Sequence, residues 1–312
     1  MYISRRTDKI TGSRIFRYAP RAVPKMAGRN SSILILISLY LHSSSFVLGS
    51  VSNTELSAFV TGIWNDDTNG ASFSDITYNL QSHTSSSSSA DLANNRLFHY
   101  VNENHLFTKP TYSAFIALLD NFDKNTAHSE HTSSTETAEI DRFITEVMKT
   151  SVMSETYRFL HGKGYTTSTT AFRDTLKSIW FTQYSRSGTS HGSNGFEHVF
   201  VGETTSTDVS GFHNWIQFYL EEKLGHINYL GYIYSNQPRK LGVHFTWYNK
   251  PKPLTTLLVG TSPEFDLAVL TTCFLVRKNT NCHFDMAGNY LTVKSYDVSY
   301  VHGDQVATAY FN

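Results

Sequence analysis

The chain has 312 residues, 40% hydrophobic and 14% aromatic, with 26 Lys/Arg against 26 Asp/Glu, which is enough to bury a sizeable core as one large domain or two small ones. The charges are unevenly placed: the first 29 residues hold eight Lys/Arg and one acid, Asp8. Setting the first 49 residues aside takes eight from the 26 basic residues and one from the 26 acidic ones, leaving 18 against 25, and this acidic remainder excludes a uniformly basic nucleic-acid binder.

The basic start runs into ILILISLYL (Ile33–Leu41), an apolar stretch of nine residues interrupted by Ser38, and then into Ser43–Ser45 and FVLGS. A basic head, a short apolar centre and a small-residue exit have the form of a secretory signal peptide over 1–49, with cleavage after Gly49. Met26 as the start would give a leader of ordinary length. The apolar run falls short of the ~20 residues that span a bilayer. Secretion is therefore expected, with a membrane anchor as the alternative if the leader is retained. Two cysteines are present, Cys273 and Cys282. In an exported chain they can pair across the turn Asn279–Asn281, or Cys273 can be a buried thiol, and the sequence leaves both open.

Residues 50–194 read as a helical lobe. NTELSAFVTGIW carries a capping box starting at Thr54 and the apolar spacing Leu56, Phe59, Val60, Ile63; NDDTNG (Asn65–Gly70) ends it. QSHTSSSSSADLANN (Gln81–Asn95) is a polar loop, and RLFHYVNENHLF and TYSAFIALLDNF resume helical spacing. ETAEIDRFITEVMKTSVMSETYRFLHGKG predicts one long helix with the stripe Ile140, Phe143, Ile144, Val147, Met148, Val152. AFRDTLKSIWFTQY predicts another helix, to Tyr184, and Ser185–Gly195 a flexible loop. From residue 195 the texture changes. VHFTWYN, LTTLLVG, YLTVKSYDVSYV and QVATAYF are β-branched and aromatic with Gly, Pro and Asn breaks, while FDLAVLTTCF is long enough to read as a helix. The fold class expected is α+β, a helical N-terminal lobe followed by a mainly β lobe over 195–312.

One stretch concentrates the chemistry: GFEHVFVGETTSTDVSGFHNWIQFY, Gly195–Tyr219. Phe196–Glu203 alternates as a strand does, TTSTDVSG is a polar turn, and His213 opens a segment that suits a helix or a buried strand. Strand, turn and second element can return His213 to His198. Two imidazoles facing one site can deprotonate a nucleophile and protonate a leaving group, as cleavage of RNA through its own 2′-hydroxyl requires; the alternative is a pair of core histidines. GTSHG (Gly188–Gly192) fits a nucleophile-elbow pattern but lies in a Ser/Gly loop without the strand and helix that motif needs. His226, His244 and His283 read as structural.

GFEHVFVGE and GFHNWIQFY, together with GHINYLGYI (Gly225–Ile233) and VGTSPEFDLAVLTTCF (Val259–Phe274), resemble the EndoU family of poly(U)-specific, XendoU-like endoribonucleases, from about Leu56 to the C-terminus. The resemblance implies the α+β architecture, cleavage of single-stranded RNA at uridines to a 2′,3′-cyclic phosphate, and His213 as base with His198 as acid. It places Lys252 as the cation for the reacting phosphate, with Lys250 as a rival in the repeated Lys-Pro. Thr256, Thr308 and Tyr310 match substrate-contacting positions. Glu197 and Glu203 match positions that orient the histidines or serve a metal, and Mn²⁺ is the implied cofactor, with its ligands unspecified. The expected partner is uridine-containing single-stranded RNA and not DNA, the expected state a monomer, and a membrane enters only if the leader stays. A non-catalytic secreted RNA-binding protein of the same fold is the alternative. The chain departs from the family pattern at Asn194, at Thr255-Thr256 where serines are common, and at Phe311 where proline often follows the tyrosine.

Overall fold

The first helix, α1 (Asn53–Asn65), begins where Ser52 offers its hydroxyl to the Glu55 amide, while the Glu55 carboxylate takes the Ser52 N–H at 2.9 Å. The capping box therefore starts at Ser52, two residues before the expected Thr54, and the helix buries Leu56, Phe59, Val60 and Ile63 as their spacing predicts. The structure, a computed structural model, describes residues 48–186, 191–298 and 303–312, so the leader expected over 1–49 lies almost wholly outside the described residues. Among the described residues no helix is long and apolar enough to cross a membrane.

Three expectations in the helical half are corrected. RLFHYVNENHLF is not a helix: Phe98–Val101 forms β2, paired antiparallel with β1 (Ile76–Tyr78), and only Glu103–Leu106 closes a short turn of helix, α2. A distant partner decides this, because the Leu97 and Phe98 amides donate to the Glu222 carboxylate at 2.6 and 3.0 Å, bonds that a helix through these residues would not leave free. After α3 (Pro110–Ala117), the single long helix is two, α4 (Ser134–Val147) and α5 (Ser151–Gly162). Thr150 causes the break by turning its hydroxyl to the Met153 amide, which makes it the N-cap of α5. Finally α6 (Thr169–Phe181) stops three residues short of Tyr184, whose hydroxyl donates instead to the Val306 carbonyl at 2.9 Å.

The second half is strand-rich, as expected. A small hairpin, β3 (Glu203–Thr204) and β4 (Val209–Ser210), encloses the polar turn. Helix α7 (Trp215–Leu224) settles the ambiguous segment as helix: Asn214 caps it, accepting from the Ile216 and Gln217 amides. Strands β5 (Ile227–Asn236), β6 (Lys240–Trp247) and β7 (Lys250–Leu258) form an antiparallel sheet in that order. The long helix α8 (Pro263–Arg277) follows, capped by Ser262 and almost entirely buried. A second antiparallel sheet, ordered β10 (Val306–Phe311), β9 (Asn289–Asp297), β8 (Asn281–Met286), ends the chain. Trp180 of α6 donates its indole N–H to Thr271 of α8 at 2.9 Å. Cys273 and Cys282 are disulfide-bonded, tying α8 to β8. One continuous apolar core runs from Val51 to Phe311, through both halves.

Candidate active site

Phe196–Glu203, expected as a strand, is a π-helical turn over Glu197–Val201, closed by a bond from the Gly202 amide to the Glu197 carbonyl at 2.8 Å. Phe196 and Phe200 are four residues apart as well as on alternate positions, so their spacing suits either form. Packing chooses: Phe196 stacks on Phe181 at 4.9 Å and Phe200 meets Trp180 at 5.3 Å. The difference matters, because in a strand positions 198 and 203 would face opposite sides. The turn instead brings the Glu203 carboxylate to His198 Nδ1 at 2.6 Å.

Two main-chain bonds bind the second histidine segment to the first: Phe212 N–H to the His198 carbonyl at 2.9 Å and His213 N–H to the Val199 carbonyl at 2.7 Å. Gly211 makes that approach possible. Its φ is +63°, and a Cβ there would lie 1.8 Å from the His198 carbonyl oxygen. The His213 ring lies flat against Tyr310 of β10, with centroids 4.8 Å apart. Its Nδ1 is 2.9 Å from the Thr255 hydroxyl, which is also 2.6 Å from the Phe212 carbonyl. A hydroxyl has one proton, and a carbonyl can only accept, so Thr255 donates to Phe212 and accepts from His213 Nδ1–H. Neutral His213 thus holds its proton on Nδ1 and leaves Nε2 with a lone pair.

The structure gathers the expected residues at one cleft of about 510 Å³, lined by His198, His213, Lys252, Thr256, Thr308 and Tyr310 among others. Lys252 comes from β7, where it pairs with Phe245, and its rival Lys250 hydrogen-bonds the Thr205 carbonyl instead. Tyr234 and Lys240 also line the cleft, which sequence reasoning missed. The Tyr234 hydroxyl is 2.5 Å from that of Thr256, and the Lys240 ammonium donates to the Asn312 carbonyl at 2.9 Å. Both sit at the ends of paired strands, and nothing local in the sequence marks which end of a hairpin closes over a site.

Burial and neighbouring charge set the proton states. Burial lowers the His213 pKa well below the usual value, and the charges of Lys252 and His198 lower it further. Burial also lowers His198, and Glu203, hydrogen-bonded to its Nδ1, opposes that shift without reversing it. Glu203 is wholly buried and still ionised. Burial raises its pKa, but His198, Arg186 and Ser193 outweigh that and leave it below the ordinary range. The Arg186 guanidinium reaches its two oxygens at 3.1 and 3.0 Å, and the Ser193 hydroxyl donates to it as well. Sequence reading missed Arg186 and Ser193, which lie in the segment expected to be a flexible loop. Burial lowers Lys252 to about 8.

Glu197 behaves differently from Glu203. It is wholly buried, both its oxygens lack a hydrogen-bond partner among the described residues, and burial with the charges of Glu203 and Glu130 raises it to about 10. Desolvation thus favours its protonated form. These two glutamates do not make up a manganese site by themselves: Glu203 is already held by His198, Arg186 and Ser193, which leaves Glu197 as a single carboxylate. Among the described residues no three His, Cys, Asp or Glu side chains are grouped to hold a metal.

Known proteins share this arrangement of elements. The family model described as Endoribonuclease XendoU matches residues 55–311. The uridylate-specific endoribonuclease of Homo sapiens is 41% identical over 280 residues, covering 86% of this chain and 68% of its own length. Uridylate-specific endoribonuclease D of Xenopus laevis is 38% identical over 277 residues, covering 85% and 91%. The solved structure of XendoU, described as a splicing independent snoRNA processing endoribonuclease, superposes with a TM-score of 0.72 at 32% identity, covering 84% of this chain and 98% of that one. A family match spanning most of the chain, with identities near 40% and a shared fold, leads to one assignment: the chain belongs to the XendoU family of endoribonucleases.

Proposed function

We propose that the protein is an exported endoribonuclease that cuts single-stranded RNA at uridines and leaves a 2′,3′-cyclic phosphate. The observation that carries this reading is the meeting at a single cleft of two imidazoles, only one of them against a carboxylate, with the Lys252 ammonium. His213 Nε2 takes the proton of the 2′-hydroxyl as that oxygen attacks the adjacent phosphorus. The P–O5′ bond breaks, and His198, as imidazolium held by Glu203, gives its proton to the departing 5′-oxygen. Lys252 faces the charge that builds on the non-bridging oxygens, an interaction strengthened by its partial burial. Tyr310 and the Thr256 and Thr308 hydroxyls supply a stacking surface and hydrogen-bonding groups for the base. The relatives named as uridylate-specific support uridine as that base. The basic, apolar leader and the Cys273–Cys282 disulfide support export, since disulfides persist in oxidising compartments.

The test is digestion of an oligonucleotide containing a single uridine, with mass analysis of the product's terminal phosphate, in Mn²⁺ and in chelator. The expected products are a 2′,3′-cyclic phosphate and a free 5′-hydroxyl. His213→Ala and His198→Ala should each lower the rate by about 10²–10⁴. Wild-type turnover by the His213→Ala protein would refute the assignment, and binding without product under either condition would favour a non-catalytic RNA binder.

A further inference from the structure

The sheet face that carries Thr308 and Tyr310 extends beyond the cleft. In the β9–β10 ladder Thr308 pairs with Tyr296 and Tyr310 pairs with Lys294, so all four side chains stand on one face of the sheet. The burial pattern of β9 agrees: Leu291, Val293 and Ser295 point into the core, while Thr292, Lys294 and Tyr296 point outward. Tyr296 is 45% exposed, a large aromatic ring left uncovered beside the residues that line the cleft. Lys294 has no ion pair among the described residues, whereas Lys278, at the C-terminal end of α8, is paired with Asp304.

We infer that Tyr296 and Lys294 form a second nucleotide subsite, which takes the base and phosphate next to the scissile uridine. The inference rests on the nuclease reading above for its ligand. A ring one cross-strand step from Thr308 offers an apolar face to an unstacked base, and Lys294, one step from Tyr310, offers a cation to the connecting phosphate. Aromatic stacking tolerates any base, so this subsite binds the neighbouring nucleotide without selecting its identity. It gives a chain that is acidic beyond residue 49 a local hold on RNA that the charge total there does not supply.

Binding and turnover test it separately. Binding is measured by fluorescence anisotropy on a labelled RNA oligonucleotide whose single uridine is 2′-deoxy and so cannot be cut. Tyr296→Ala should weaken it about tenfold, and Tyr296→Phe should restore it. Lys294→Ala should flatten the dependence of log Kd on log salt by about 0.7, one phosphate contact. Turnover compares a cleavable single-uridine oligonucleotide with uridine 3′-(4-nitrophenyl phosphate), which has no neighbouring nucleotide. Tyr296→Ala should lower the ratio of the two kcat/KM values about tenfold. Unchanged binding by Tyr296→Ala, or equal losses on both substrates, would overturn the subsite. If the wild type binds the deoxyuridine oligonucleotide but turns over neither substrate, the nuclease reading fails while the binding arm still decides the subsite.

Discussion

At the scale of single residues, Glu203 separates the surroundings of the two histidines. Both imidazoles are pulled toward the neutral form by burial, and only His198 has an anion against its Nδ1. Glu203→Gln removes the one influence that raises the His198 pKa through a full charge. The imidazolium then persists only to lower pH, so the alkaline limb of kcat/KM should move acidward, with a loss of about 10–100-fold at neutral pH. In the proposed mechanism Lys252 should set a second limb. Its ammonium loses its proton near pH 8, so activity should fall as pH rises through about 8. Lys252→Arg, which stays charged, should abolish that limb in the pH–rate profile while keeping part of the rate.

At the scale of elements, glycine positions divide into those that hold the site and those that do not. Gly211→Ala places a methyl against the His198 carbonyl at positive φ; it should cost more than about 2 kcal/mol and most of the activity. Gly62, inside α1 with nothing within 4 Å of its would-be side chain, should instead gain about 0.5–1 kcal/mol as alanine, read from denaturant midpoints. The elements legible in the sequence were those with a long, uniform pattern: the stripe of α1, the β-branched runs of β6, β7, β9 and β10, and the length of α8. Those missed were decided by remote partners. Phe98–Val101 follows Glu222, and the turn at Glu197 follows Trp180 and Phe181. The six cleft residues were legible through short motifs, but Arg186, Ser193, Tyr234 and Lys240 carry no local signature, because their use depends on residues brought to them only by the fold.

At the scale of the whole molecule, stability depends on buried acids and one covalent tie. Asp266, on α8, is buried and raised to about 8 by desolvation and the nearby charges of Asp67 and Glu264. Unfolded, it ionises near pH 4. Between those values the unfolded chain gives up a proton that the folded chain keeps, so this residue's contribution falls as pH rises. The melting temperature of Asp266→Asn relative to wild type should therefore climb from pH 5 to pH 8. The disulfide joins α8 to β8 across nine residues. Replacing both Cys273 and Cys282 with alanine should cost about 2–3 kcal/mol, a fall of roughly 5–10 °C in Tm at this size. The paired backbone bonds between His198–Val199 and Phe212–His213 have a further consequence. They register the two imidazoles directly, so the exposed residues Ser206 and Thr207 between them carry none of that registration. A foreign peptide spliced at this point would ride on the outside of a working enzyme, which makes it a natural place to attach a reporter.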